Sequence, residues 1–87
     1  MDQTLVTQVL FFASLREAMK IGSLKLTLTK PVTVQNLLMM IAGQSDRFAA
    51  ALAERELLVA INEQLAGQQD TVKPGDTVAL FPPVTGG

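Results

Sequence analysis

The chain reads as an α+β fold, a mixed sheet of about five strands packed on one main helix, and three observations predict it. The runs Thr4 to Phe12 and Thr77 to Phe81 are the most apolar strand-like segments, which places them adjacent and parallel at the sheet centre. Leu24, Leu26 and Leu28 alternate with Lys25, Thr27 and Thr29, the pattern of a half-buried strand. Val34, Leu37, Leu38 and Ile41 then fall on a single helical stripe.

Taken in order, Val9-Leu10-Phe11-Phe12 closes a first strand with apolar side chains on both faces. Ala13 to Ile21 carries Leu15, Ala18 and Met19 at helical spacing, with Gly22 as its stop. The Leu24–Leu28 strand pairs back on the first as a hairpin interrupted by that short helix. Lys30-Pro31 ends it, and Thr33 is placed as N-cap of a helix from Val34 to about Ala42. Met39 and Met40 read as packing or solvent-grazing residues, because Met without Cys or His seldom holds a metal. Asp46 to Glu54, with four alanines, Phe48 and Leu52, predicts a second, shorter helical turn. Leu57 to Ile61 is a strand, Asn62-Glu63 a tight turn, and Leu65-Ala66 a weak strand. Thr71 to Asp76 holds the strongest turn signal, Pro74-Gly75, before the last strand.

At 87 residues the chain is one domain, with residues 1–81 globular and 82–87 a flexible tail. Its composition excludes much chemistry. With no His there is no side chain titrating near neutrality, and with no Cys no thiolate or zinc site. Net charge is −1 and no Trp or Tyr is present, which argues against nucleic acid as a partner. No apolar run is longer than the six residues of Leu37 to Ala42, too short to span a membrane. Met1-Asp2-Gln3 lacks the basic opening of a signal peptide, so a cytoplasmic location is expected. The chain is therefore expected not to be an enzyme on its own. Charged residues make up only 17%, which leaves apolar surface for a binding face.

No phosphate loop, nucleophile–base pair or metal-spaced cluster is present, and Glu54 with Glu56 reads as solvated surface. The C-terminus is different. Pro82-Pro83-Val84-Thr85-Gly86-Gly87 is uncharged, cannot extend a sheet, and ends in the thinnest chain available. Two terminal glycines arise by chance roughly once in 200 chains, so the pair gains weight only from the stiffened approach before it. Six extended residues reach about 20 Å, enough to carry a carboxylate into a partner's channel. That carboxylate is ionised at neutral pH and can attack the α-phosphate of ATP, and the acyl-adenylate then accepts a nucleophile.

The sequence resembles the MoaD family of sulfur carriers, the small subunits of molybdopterin synthase, which have a ubiquitin-like β-grasp fold. Leu10-Phe11-Phe12-Ala13 with Arg16-Glu17, Gln44-Ser45-Asp46-Arg47, and Leu57-Leu58 with Ile61-Asn62 carry the resemblance. Gly75-Asp76 and Phe81-Pro82-Pro83-Val84-Thr85-Gly86-Gly87 complete it, and the ending is the most specific part. The resemblance implies that Gly87 is adenylated by an E1-like, ATP- and Mg-dependent activating enzyme and converted to a thiocarboxylate, a 1-thioglycine. Residues 82–86 would enter the large synthase subunit, where sulfur passes to cyclic pyranopterin monophosphate to build the molybdopterin dithiolene. It further implies a heterotetramer with two copies of each subunit, a sulfur donor system, and no cofactor or metal held by this chain. Phe12, Arg16, Leu58 and Phe81 would form the partner interface, although core packing is an equally open fate for Phe12, Leu58 and Phe81. The alternatives are a carrier for another pathway such as the thiamine thiazole, a ubiquitin-like protein modifier, and an interaction module with an inert tail.

Overall fold

A computed structural model describes residues 5–83. Seven strands and three helices run in the order β1 (Leu5–Phe11), α1 (Ala13–Met19), β2 (Ser23–Leu28), β3 (Val32–Thr33), α2 (Val34–Ala42), α3 (Asp46–Ala53), β4 (Leu58–Ile61), β5 (Gln64–Ala66), β6 (Thr71–Val72) and β7 (Thr77–Phe81). Five of the strands form one sheet in the order β2-β1-β7-β4-β5. β1 and β7 pair in parallel at its centre, with Val9 opposite Val78 and Phe11 opposite Leu80, and every other pairing is antiparallel.

One face of this sheet carries the core. Val9, Phe11, Leu26, Leu28, Val59, Val78 and Leu80 point from the strands, and Leu15, Met19, Val34, Leu37, Ile41 and Ala51 meet them from the helices. The first strand is central as expected, but it is not buried on both faces. Thr7, Val9 and Phe11 are buried while Val6, Gln8 and Phe12 are exposed, because the helices cover only one side. Apolar residues on the uncovered side had made the two faces look alike.

α2 is held at its start by three separate acceptors. The Asn36 amide donates to the Thr33 hydroxyl at 3.1 Å, and the Val34 and Gln35 amides donate to Asp70 and Gln68 carbonyls at 2.9 and 3.0 Å. Thr33 is thus the N-cap its position predicts, and β3 lies there because the segment after β5 returns to pair with it. Thr33→Ala is expected to cost about 1 kcal/mol, read as a lower urea midpoint at unchanged slope.

Three features differ from the sequence reading. α1 stops at Lys20, which takes a left-handed φ of 68° and donates its amide to the Arg16 carbonyl, rather than at Gly22. Gly22 serves another purpose, since a Cβ there would lie 3.1 Å from the Arg16 guanidinium carbon. The β3–β6 ribbon was not expected, its strands being two residues each. Finally, Asp46–Ala53, expected as a shorter helical turn, is a helix of eight residues capped by the Ser45 hydroxyl, and it joins α1 and α2 on the covered side.

Two turns fix the far end of the sheet. Asn62 and Glu63 both have positive φ, 50° and 71°, as a two-residue hairpin whose twist matches its strands requires. Asn62 also accepts from the Thr77 amide and donates to Asp76, tying that hairpin to β7. In the turn before β7, Gly75 has φ 93°, and the buried Thr7 hydroxyl accepts its amide and donates to the Lys73 carbonyl.

Candidate docking face and tail exit

Residues paired across a sheet share a face, so the register shows what the uncovered side presents. Phe11 and Leu80 face the core as a parallel pair, and Phe12 continues extended with its amide donating to the Leu80 carbonyl at 3.2 Å. Phe12 and Phe81 therefore emerge on the opposite side. Leu58 stands directly across from Phe81 on β4. The three make a row over β1, β7 and β4 at the end of the sheet where the chain leaves. Phe12 is 45% and Leu58 38% exposed, and Phe81 is half-buried, so none belongs to the core.

Beside that row lies a second, formed by Leu10, Ala79, Ala60 and Leu65 in register. Its two alanines keep the face low. Leu65 is 76% exposed, more than any other large apolar residue among those described. The sequence reading missed it, because a three-residue strand gives no periodicity to read. The available signal was the hairpin: a two-residue turn at Asn62-Glu63 sets Leu65 opposite Ala60 and hence on the same side.

Arg16 is exposed and stands one helical turn beyond Phe12, its amide donating to the Phe12 carbonyl at 3.3 Å. Its guanidinium lies over Gly22, beside Glu17, Lys20 and Ile21, so it flanks the apolar rows without entering them. Pro82 and Pro83 are half-buried immediately past β7, and without amide donors they end its ladder with β4. Val84, Thr85, Gly86 and Gly87 lie outside the described residues.

This arrangement offers an aromatic and aliphatic surface and no nucleophile or proton-transfer group within it. Phe, Leu and Ala at the centre with charge at the margin is the make-up of a protein–protein contact.

A model of the ThiS family matches residues 9–87. The molybdopterin synthase sulfur carrier subunit of Escherichia coli (strain K12) is 44% identical over 80 residues, spanning 92% of this chain and 98% of its own. SAMP1 from Haloferax volcanii has a TM-score of 0.77 at 25% identity, covering 94% of this chain and 99% of its own. A complex of subunits 1 and 2 of molybdopterin-converting factor from Helicobacter pylori 26695 matches with a TM-score of 0.65 at 20% identity. There the coverage is 95% of this chain and 100% of that one. The five-stranded sheet folded around its helices is accordingly a ubiquitin-like β-grasp.

Proposed function

Because the chain belongs to the ThiS family, we propose that it is the sulfur-carrier subunit of a molybdopterin synthase, with Gly87 as the residue that carries sulfur. The observation that supports this best is the 44% identity to a molybdopterin synthase sulfur carrier along nearly its whole length. The geometry agrees, since an open apolar face ends where the central strand hands over to the Pro-Pro-Val-Thr-Gly-Gly tail.

The chemistry divides between this chain and its partners. A carboxylate oxygen of Gly87 attacks the α-phosphorus of ATP, pyrophosphate leaves, and an acyl-adenylate forms on an E1-like enzyme that supplies ATP and Mg. Hydrosulfide released by a donor system then attacks the acyl carbon and expels AMP, leaving the 1-thioglycine. Two thiocarboxylate sulfurs, one from each of two tails, each form a carbon–sulfur bond on cyclic pyranopterin monophosphate in the large subunit as a carbon–oxygen bond there breaks, and water cleaves each acyl–sulfur bond to restore the carboxylate. This chain contributes reach and docking, and the large subunit the proton transfers, so it is no enzyme alone. Pro82 and Pro83 limit the entropy lost when Val84, Thr85 and Gly86 are threaded. Phe12, Leu58, Phe81 and Leu65 form the contact face with Arg16 at its rim, in a cytoplasmic assembly with two copies of each subunit.

Intact mass spectrometry tests the reading. The chain, given ATP, a sulfur source and host extract, should gain the mass of one sulfur replacing one oxygen. Its appearance joined to lysines of other proteins, with no such gain, would make it a modifier instead.

A further inference from the structure

Phe12 is the most exposed member of the docking row. It lies just beyond the end of β1, and Ala13 after it has a φ of 54°, the left-handed region that non-glycine residues avoid. Such a residue persists only where its surroundings fix it. On one side the fixing is plain: the Phe12 amide donates to the Leu80 carbonyl on β7. On the other side Arg55, from the connection between α3 and β4, reaches back and donates from Nη1 to the Ser14 carbonyl at 2.9 Å. Only Ala13 separates these two anchors.

Arg55 is an unusual residue to find there. Its side chain is 22% exposed, its Nε is buried with no partner among the described residues, and its ion pair to Glu54 is long at 3.8 Å. Of these contacts, the one of good hydrogen-bond length is to Ser14. Leu15 and Met19 fix α1 in the core, whereas the Phe12 side chain is 45% exposed, so the backbone at Ala13 bears on how Phe12 is presented.

We propose that Arg55 is a positioning residue for docking: its bond to the Ser14 carbonyl holds Ala13 left-handed and so presents Phe12 in the row with Phe81 and Leu58. This rests on the reading that the open face docks the synthase large subunit. Arg55→Met keeps the aliphatic bulk and removes the donors. It is expected to weaken binding of the purified large subunit about tenfold, or ~1.4 kcal/mol, by calorimetry at a temperature where circular dichroism shows full folding. Glycine adopts the left-handed region freely, so adding Ala13→Gly to Arg55→Met should return affinity to within about threefold of the parent. The three-bond amide–α proton coupling of Ala13 should move from its positive-φ value in Arg55→Met.

Parental affinity in Arg55→Met overturns the proposal. So does a loss that Ala13→Gly fails to restore, which makes Arg55 a direct contact or a general stabiliser. Phe81→Asp separates the two readings. If that variant still binds normally, the docking face is misassigned, while the Ala13 coupling continues to report on the clamp by itself.

Discussion

Removing Gly86 and Gly87 is expected to abolish sulfur transfer completely while leaving the fold and most of the docking affinity in place. The fold should survive because the core residues, the sheet ladders and the helix caps described above all lie within residues 5–83. Activity should vanish because in the proposed chemistry the reacting atoms belong to the terminal carboxylate, and the tail from Phe81 onward carries no side-chain carboxylate to stand in for it. Shortening by two residues also withdraws the new carboxylate by about 7 Å, far beyond the ~3 Å at which a nucleophile must meet its target. The apolar rows remain, so the truncated chain should compete with the intact one for the large subunit and inhibit the synthase. Mass spectrometry for the thiocarboxylate and a competition binding assay check the two halves. Loss of both binding and activity would place most of the binding energy in the tail; full activity would remove the carboxylate from the mechanism.

How much of this was visible in the sequence depends on how local each determinant is. Thr33 as a cap and Leu24-Leu26-Leu28 as one face depend on neighbours a few residues away, and both hold. The parallel pairing of β1 with β7 was also legible, because the two most apolar strands compete for the sheet centre. What escaped depends on partners distant along the chain. The ribbon of Val32-Thr33 with Thr71-Val72 is set by a loop returning to the start of α2, not by any strand signal of its own. Lys20 ends α1 although Gly22 is the better left-handed residue, and Gly22 instead lies under the Arg16 guanidinium. The site followed the same division. Phe12, Leu58 and Phe81 could be named but not assigned to core or surface, because strand residues reveal their face only once register is known. Leu65 needed the hairpin register, and Arg55 needed a contact to a carbonyl 41 residues away.

Phe81→Asp is expected to cost at least a hundredfold in affinity for the large subunit, about 2.7 kcal/mol, without unfolding the chain. The side chain is half-buried at the end of the central strand, flanked by Phe12 through the β1–β7 ladder and by Leu58 across β4. An aspartate there places a charge in the middle of the apolar row. In the free chain that charge keeps its water, and the main cost is the lower strand propensity of Asp, about 1 kcal/mol or less. In the proposed complex the same charge must be desolvated against the partner in place of an aromatic ring, and an unpaired buried carboxylate is heavily penalised. The asymmetry between the two states is what makes the substitution diagnostic. Phe11 provides the contrast: it is fully buried on the other face, at the same end of the neighbouring strand β1, and Phe11→Asp should unfold the chain outright. Circular dichroism and calorimetry on the pair decide the matter. A folded Phe81→Asp with parental affinity would move the docking surface away from this face, whereas an unfolded one would return Phe81 to the core.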